Sequence, residues 1–184
     1  MAVLSGFLRE QRWQAARPFL RGAILDLGCS DGWLVARLPS DQTYLGVERS
    51  ADSIAWLAAH YPGRRFLRRD LDRDDLALDE RFDTIVLLAI LEHLQDPDRV
   101  LRQLAGCLRP AGRVVLTTPT PPGDRVHQVG ARLGLFSRAA MDEHATIFNR
   151  ASLEPRLERN GLRLIHYRTF LLGGNQLGVA EAAR

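Results

Sequence analysis

Apolar and polar positions along the chain predict an alternation of strands and helices. Short apolar runs typical of strands occur at residues 23–27, 43–48, 65–69, 82–89 and 113–118. Helical patterns separate them at residues 32–38, at 51–60 behind the capping residue Ser50, and at 98–108 behind Asp96 and Pro97. An amphipathic helix is also predicted over residues 3–20, and Pro18 ends or kinks it. Strands that alternate with helices favour a mostly parallel sheet with helices on both faces.

The pattern changes after residue 118. Residues 117–123 read Thr-Thr-Pro-Thr-Pro-Pro-Gly and predict a loop, because proline cannot donate a hydrogen bond to a sheet. Residues 124–136 have weak helical character. A further helix is predicted to begin with Ser152 as its cap, with Pro155 in its first turn, where a missing donor is tolerated.

The end of the sequence predicts a β-hairpin. Asn160 and Gly161 stop the preceding helix, since both adopt a left-handed conformation at low cost. Residues 162–172 and 176–182 flank Gly173-Gly174-Asn175, which is a turn signal. The expected fold is therefore α/β, a Rossmann-like seven-stranded sheet that is mostly parallel and ends in a C-terminal antiparallel hairpin.

Length and composition indicate one folded domain over residues 1–184. Hydrophobic residues make up 46% and charged residues 26%, which excludes a disordered chain. The longest apolar run, at residues 85–91, is too short to span a membrane, and no secretory signal is expected. Cys29 and Cys107 are far apart and lack histidines at metal-ligand spacing, which fits a cytoplasmic protein without disulfides or zinc.

The distribution of charged residues does not predict nucleic-acid binding. All 25 basic residues are arginine, and the formal net charge is +3. The densest basic cluster, at residues 64–69, runs directly into the acidic residues Asp70, Asp72, Asp74 and Asp75. Mixed signs of this kind are typical of a solvated surface, whereas nucleic acid requires a coherent positive patch.

A glycine-centred turn after the first strand carries the sharpest chemical signal. Gly28 permits a tight turn, and Gly32 lets the following segment start close to the strand. A dinucleotide fingerprint would also require glycine at positions 30 and 33, where this chain has Ser30 and Trp33. Asp26 beside the turn would repel a diphosphate but suits a ligand that carries an ammonium and a sulfonium group.

Two further acids follow neighbouring strands. Glu48 comes 20 residues after Gly28 and has the position of a carboxylate that binds a ribose diol. Asp70 follows the third strand and is a candidate for an exocyclic amine. Because parallel strands end at the same edge of a sheet, Asp26, Glu48 and Asp70 are expected to converge on one crevice.

These elements resemble the class I S-adenosylmethionine-dependent methyltransferases, in particular the small type-11 (ubiquinone/menaquinone-methylase-like) group. The matching elements are residues 25–32, 45–48, 70–71, 82–94 with its Leu-Glu-His-Leu motif, 108–113 and the helix stop at 160–161. The resemblance covers residues 20–182 and departs from the family at Ser30, where glycine is most frequent. It divides the chain into a leading helix (1–20), a cofactor-binding half (21–118), an acceptor-side segment (119–160) and the closing hairpin (161–184).

The resemblance implies a role for each residue of the crevice. The methionine part of S-adenosylmethionine would be held by Asp26, Gly28 and Ser30, and Cys29 and Gly32 would also belong to the cofactor-binding site. The ribose would bind to Glu48, the adenine to Asp70 and Leu71, and the sulfonium side would be lined by Leu88 and Ala89. S-adenosylhomocysteine would be the product.

The sequence offers fewer candidate residues for the acceptor side of the site. His93 follows the fourth strand and is a candidate base, and a structural histidine in a loop is an equal alternative. His144, in Asp142-Glu143-His144, is a candidate for substrate contact, with a surface loop histidine as its alternative. Some quinone-ring methyltransferases have an acidic metal-site residue where this chain has Ala89, so no metal is expected.

The predicted function is methyl transfer to a small-molecule acceptor by in-line displacement, without a nucleic-acid or membrane partner. Two alternatives remain: a nucleic-acid methyltransferase, and a regulatory subunit that binds the cofactor without turnover. The first lacks support after the fourth strand, where base-amino methyltransferases have Asn/Asp-Pro-Pro-aromatic and this chain has Ala-Ile-Leu-Glu-His. An NAD-dependent dehydrogenase is disfavoured by Ser30 and Trp33.

Overall fold

A seven-stranded sheet forms the centre of the protein. The computed structural model describes residues 3–124 and 146–183. Its strands are β1 (Ile24–Leu27), β2 (Tyr44–Glu48), β3 (Arg65–Arg68), β4 (Phe82–Leu88), β5 (Leu108–Pro119), β6 (Leu162–Phe170) and β7 (Asn175–Ala182). The main helices are α1 (Val3–Ala16), α2 (Ala51–His60), α3 (Pro97–Cys107) and α4 (Arg150–Arg159). None of the helices within these described ranges has the length and apolar character to cross a membrane.

The strand order is β3-β2-β1-β4-β5-β7-β6. Strands β1 to β5 pair in parallel, whereas β7 lies antiparallel between β5 and β6. The predicted Rossmann-like sheet with a C-terminal antiparallel hairpin is therefore confirmed. The order reverses between β1 and β4, and open α/β sheets bind ligands beyond the carboxyl ends of the strands at such a switch point.

Both faces of the sheet are covered by apolar side chains. On one face, strand residues such as Ile85 pack with Leu104 of α3 and Leu157 of α4 in the main core. On the other face, Ile24 and Val86 pack with residues that include Trp13 of α1. Burial on both sides explains why β1 and β4 are almost uninterrupted apolar runs.

Two of the three predicted helix caps are confirmed by the structure. Ser50 caps α2 through a 3.2 Å hydrogen bond from the Ser53 N–H to its hydroxyl, as predicted, and Asp96 caps α3. The prediction of Ser152 as the cap of α4 was wrong. Asn149 is the cap, and Ser152 is its partner in a reciprocal capping box, which places Pro155 beyond the first turn.

The helix predicted over residues 32–38 is absent, and a single 3-10 turn at Val35–Arg37 takes its place. The Gly32 N–H donates to the Cys29 carbonyl in a tight turn, and Gly32 itself has φ +79°. Arg37 folds back to donate to the Trp33 carbonyl and lies 3.6 Å from the Trp33 ring centroid. These contacts hold the segment compact without an α-helix.

Other boundaries differ by a few residues. α1 ends at Ala16, and Pro18 lies in a 3-10 turn immediately after it. β5 begins at Leu108, five positions before its predicted start, and Gly161 ends α4 with φ +78°. Most of the weak helical pattern at 124–136 lies outside the described residues, with only residue 124 inside.

Candidate active site

The turn after β1 is held against the end of β2 by two backbone hydrogen bonds. The N–H groups of Gly28 and Cys29 both donate to the Val47 carbonyl, at 2.8 and 3.1 Å. Gly28 has φ +72°, and a Cβ atom there would clash with the side chain of Ile90. Only glycine fits a left-handed position with such a close neighbour.

The other turn residues are also close to neighbouring elements. A Cβ atom at Gly32 would lie 2.7 Å from a methyl carbon of Leu57 on α2. Ser30 has φ +49°, so the family's usual glycine position retains a left-handed backbone here. Cys29 is buried, and burial together with the charges of Asp26 and Glu48 raises the pKa of its thiol. The thiol therefore stays protonated at neutral pH.

Asp26 lies buried at the floor of the turn, with 4% of its surface exposed. The Tyr44 hydroxyl donates a 2.7 Å hydrogen bond to its Oδ2 atom. Burial raises the pKa of Asp26 to about 7, and the Glu48 charge adds to that rise while the Tyr44 hydrogen bond opposes it. A cationic ligand at this point would favour the ionised carboxylate.

Glu48 faces the same turn. Its Oε2 atom accepts a 3.2 Å hydrogen bond from the Ser30 N–H, and its Oε1 atom accepts one of 2.9 Å from the Ser50 N–H. The carboxylate is thus fixed between the Gly28 turn and the cap of α2. It retains lone pairs that can accept hydrogen bonds from a diol.

Asp70 and Leu71 follow β3 in an acidic turn. The Asp70 carboxylate accepts a 3.0 Å hydrogen bond from the Asp72 N–H, and the Asp70 N–H donates to Asp74. The Leu71 carbonyl accepts a 2.6 Å hydrogen bond from Arg99 of α3. The Asp70 carboxylate therefore stabilises its own turn.

The end of β4 adjoins the glycine turn. Leu88, the last residue of β4, is half-buried and packs against an apolar cluster that includes Leu34, and the next residue, Ala89, has φ +59°. The Ala89 N–H donates a 2.9 Å hydrogen bond to the Thr117 carbonyl of β5. This sharp turn brings Ile90 over Gly28, so the Leu88–Ala89 corner and the glycine turn are neighbours.

Of the two histidines predicted on the acceptor side, only His93 lies within the described residues. His93 is exposed at the end of the 3-10 turn Leu91–His93, and its N–H donates to the Ile90 carbonyl at 3.0 Å. Its chemical role stays a prediction. His144 lies outside the described residues.

A buried polar group beside His93 was not singled out from the sequence. We call it the Glu92 cluster, and it comprises Arg12, Glu92, Asp124 and Asn175. Glu92 is 1% exposed, and its Oε2 atom has no hydrogen-bond partner within the described part of the chain. Arg12 of α1 donates a 3.3 Å hydrogen bond from Nε to Asn175 of β7.

Electrostatics couple the members of the Glu92 cluster. Burial raises the pKa of Glu92 to about 7, while the Arg12 charge lowers it and the Asp124 charge raises it. Burial also lowers the pKa of Arg12, and Glu92 opposes that change. The Leu-Glu-His-Leu motif contains Glu92, but nothing in the sequence pattern of α1 indicates that Arg12 reaches it.

Helix α1 also contacts the segment of the glycine turn. Arg9 donates a 2.6 Å hydrogen bond to the Asp31 carboxylate, and its guanidinium lies 5.6 Å from the Trp33 ring centroid. The Arg37 guanidinium lies 3.5 Å from Glu10. The leading helix therefore spans from the glycine turn to the Glu92 cluster.

The sheet order, the antiparallel β7 and the acids at the strand ends define the fold of class I S-adenosylmethionine-dependent methyltransferases. The chain belongs to the methyltransferase-domain family, which it matches over residues 6–167.

Relatives and solved structures agree with this assignment. The chain is 33% identical over 125 residues to a ubiquinone biosynthesis O-methyltransferase of Xanthomonas euvesicatoria pv. vesicatoria, covering 64% of this chain and 52% of that protein. It is 27% identical over 133 residues to a tRNA U34 carboxymethyltransferase of Desulfotalea psychrophila, covering 63% of this chain and 39% of that protein. The chain thus spans about half the length, or less, of these curated relatives.

Among solved structures, an S-adenosylmethionine-dependent methyltransferase from Mesorhizobium loti superposes with a TM-score of 0.72. It is 23% identical in sequence, and the match covers 92% of this chain and 96% of that one. At this identity the likeness establishes the shared fold.

Proposed function

We propose that this protein transfers the methyl group of S-adenosylmethionine to a small-molecule acceptor and releases S-adenosylhomocysteine. The observation that carries the proposal is the pair of hydrogen bonds that holds Glu48 between the Ser30 and Ser50 N–H groups, next to the buried Asp26. Two carboxyl groups beside a glycine turn suit a cationic adenosyl ligand and disfavour a diphosphate.

In this proposal each part of the cofactor has its own partners. Asp26 and the turn residues Gly28, Cys29, Ser30 and Gly32 hold the methionine part, and Glu48 accepts hydrogen bonds from the ribose hydroxyls. Asp70 and Leu71 border the adenine. Leu88 and Ala89 line the side of the sulfonium, because their corner adjoins the glycine turn through Ile90.

The local backbone supports this cofactor over NAD. A pyrophosphate binds at the N-terminus of a helix, where free N–H groups and the helix dipole favour an anion. Here the segment after the glycine turn contains only the 3-10 turn Val35–Arg37. The N–H groups of Gly28 and Cys29 already donate to Val47, so neither is available to a phosphate.

The chemical step needs alignment more than activation. The sulfonium carbon is already electrophilic, so the nucleophile of the acceptor attacks it in line with the departing sulfur. In this proposal, residues 1–20 and 119–160, which lie outside the cofactor-binding half, help to shape the acceptor site. The likeness to a ubiquinone biosynthesis O-methyltransferase supports a small-molecule acceptor.

Titration calorimetry with S-adenosylmethionine tests the cofactor. Glu48→Gln should weaken binding by about 10- to 100-fold, because hydrogen bonds to a charged group contribute roughly 1.5–3 kcal/mol. Glu154→Gln is the matched control, since Glu154 lies on α4 and pairs with Arg150 at the surface. Absence of heat at high-micromolar ligand with folded protein would contradict the proposal.

A tRNA acceptor is the second candidate, because the chain is similar to a tRNA U34 carboxymethyltransferase. Filter binding of bulk tRNA over a salt series separates the two acceptors. Steep, salt-dependent binding of tRNA would favour a tRNA acceptor, whereas weak binding at all salt concentrations favours a small molecule.

A further inference from the structure

We propose that Arg9 of α1 is a positioning residue for the cofactor, and that docking of the first half of α1 and binding of S-adenosylmethionine strengthen each other. The inference deepens the function proposed above and rests on it. It gives α1 a task on the cofactor side, whereas the sequence placed residues 1–20 outside the cofactor-binding half.

The contacts of Arg9 with the glycine turn are the first argument. Its Nη1 atom donates a 2.6 Å hydrogen bond to Oδ2 of Asp31, which lies between Ser30 and Gly32 in the turn. The same guanidinium lies 5.6 Å from the centroid of the Trp33 ring, within the range of a cation–π contact. Arg9 therefore contacts both of the side chains that flank Gly32.

Arg37 supplies a second contact between α1 and this segment. Its guanidinium lies 3.6 Å from the Trp33 ring centroid, and its Nη2 atom lies 3.5 Å from Oε2 of Glu10. Trp33 thus contacts two guanidinium groups, one from α1 and one from the segment after the turn. Because guanidinium groups stack well on aromatic faces, the Trp33 ring joins α1 to the turn.

The backbone of the turn explains why this outer support matters for the cofactor. Ser30 has φ +49°, a conformation that costs a non-glycine residue free energy. Its N–H donates the 3.2 Å hydrogen bond that holds Glu48, the residue proposed to bind the ribose. Asp31 is the next residue along the chain. Loss of the Arg9 contact would let the corner at residues 30–31 relax, and the position of the Glu48 carboxylate with it.

The two halves of α1 are held by different kinds of contact. In the second half, Ala16 is fully buried, and Trp13 packs in the apolar cluster that covers β1 and β4. In the first half, the contacts with the segment of the turn are the ion pairs of Arg9 and Glu10, whose side chains are partly exposed. Exposed ion pairs contribute little to stability, so the first half can leave the turn while the second half stays anchored.

Gly6 makes that release easier. It lies in the first half of α1, and glycine inside a helix loses more conformational freedom than other residues do. A Cβ atom at Gly6 would have no atom within 4 Å, so packing does not require a glycine there. A ligand that binds better to the docked helix must favour docking by the same factor, because linkage between binding equilibria is reciprocal.

Gly6→Ala tests the coupling by strengthening α1. The alanine should favour the docked helix, so calorimetry should give an affinity for S-adenosylmethionine about two- to fivefold higher than that of the wild-type protein. Gly106→Ala is the matched control, because Gly106 lies in α3 and an added Cβ atom there also has no atom within 4 Å. It should stabilise the protein against urea and leave the affinity unchanged.

Arg9→Gln tests the coupling by removing the contact. The affinity should fall by about three- to tenfold, because one ion pair and one cation–π contact are lost. Combining Arg9→Gln with Asp31→Asn should cost little more than Arg9→Gln alone, since both changes act through one contact. Arg9→Lys keeps the charge without the planar guanidinium and should recover part of the affinity.

Hydrogen exchange provides the reciprocal measurement. S-adenosylmethionine should slow the exchange of the amides of residues 7–12 in the wild-type protein, and do so less in Arg9→Gln. The amides of α3 serve as an internal reference. A contact that served stability alone would not make the exchange of α1 depend on the cofactor.

Four results would overturn the inference. Wild-type affinity in either Gly6→Ala or Arg9→Gln would show that docking of α1 is not coupled to the cofactor, and so would exchange of α1 that ignores the cofactor. An equal gain in Gly106→Ala would assign the effect to global stability. Additive losses in the double variant would show that Arg9 does not act through Asp31. A wild-type protein that fails to bind S-adenosylmethionine would instead contradict the function on which the inference rests.

Discussion

The hydroxyl of Tyr44 reaches along the sheet to the buried carboxylate of Asp26, at 2.7 Å. In the parallel register Tyr44 pairs with Ile24, and Asp26 pairs with Gly46. A Cβ atom at Gly46 would lie 3.0 Å from the Tyr44 hydroxyl, so the absence of a side chain there leaves room for the contact. The Tyr44 hydroxyl at the start of β2 thereby lowers the pKa of the Asp26 carboxyl, against the larger effect of burial, which raises it.

Replacing Tyr44 by phenylalanine should shift the pH dependence of cofactor binding. The Tyr44 hydrogen bond lowers the pKa of Asp26, so its loss should raise that pKa further above about 7. Because the cationic cofactor favours ionised Asp26, affinity should then reach its plateau only at higher pH. Calorimetry with S-adenosylmethionine between pH 6 and 9 measures the shift. Asp26→Asn should remove this pH dependence, and an unshifted profile in Tyr44→Phe would show that Asp26 does not titrate on binding.

Gly28→Ala should lose cofactor binding and destabilise the fold by roughly 1–3 kcal/mol. The alanine would need a left-handed backbone, and its Cβ would displace Ile90 from the turn. Gly106→Ala is the matched control, because Gly106 is an exposed residue of α3 with no atom within 4 Å of an added Cβ. That variant should gain about 0.5–1 kcal/mol from helix propensity. Urea unfolding and calorimetry check both variants, and unchanged binding in Gly28→Ala would remove the turn from the cofactor site.

Ser30→Gly should stabilise the protein while keeping cofactor binding. Ser30 has φ +49°, and a left-handed conformation costs a non-glycine residue about 1 kcal/mol. Its hydrogen bond to Glu48 comes from the backbone N–H, which glycine retains. Ala77→Gly, at φ +43° away from the site, should give a similar gain without any effect on the cofactor. A loss of stability in Ser30→Gly alone would indicate that the serine hydroxyl contributes to the turn.

Asp98→Asn should weaken the contact between α3 and α4. Asp98 accepts hydrogen bonds from Nε and Nη2 of Arg159, at 3.2 and 3.0 Å, and also from Asn160. The Arg159 hydrogen bonds are the main reason that the pKa of Asp98 is lowered, although burial opposes them. We expect a loss of roughly 1 kcal/mol at pH 7, since the carboxylate is still partly exposed.

The pH dependence of this contact has a defined sign. A carboxyl group with a lowered pKa in the folded state stabilises the protein above its unfolded pKa, near 4. That contribution disappears as the pH falls through the lower folded pKa. Urea unfolding of the wild-type protein and Asp98→Asn should therefore differ at pH 7 and converge in strong acid. A difference that persists there would assign the effect to packing instead of charge.

The sheet and its turn could be predicted because local signals agree with the tertiary structure. Apolar runs buried on both faces identify β1 and β4, and a glycine that must adopt positive φ marks the turn at residue 28. Glu48 was predictable for a similar reason, since parallel strands bring residues at their carboxyl ends to one edge.

Features that depend on particular side-chain contacts were not predicted from the apolar pattern. The segment after Gly32 is a compact turn because Arg37 folds over Trp33, and α4 begins at Arg150 because the side chains of its cap residue Asn149 and of Ser152 bond each other's backbone. The Glu92 cluster depends on Arg12, whose place beside Asn175 follows from the docking of α1. Patterns read along the chain do not reveal such contacts.

The hydrogen bond from Arg12 to Asn175 joins residues 163 positions apart. During synthesis the glycine turn and Glu92 leave the ribosome well before Asn175. Arg12 obtains its hydrogen-bond partner on β7, which lies between β5 and β6, only after that strand has been made. This contact between α1 and the sheet therefore forms only once the closing hairpin has been translated.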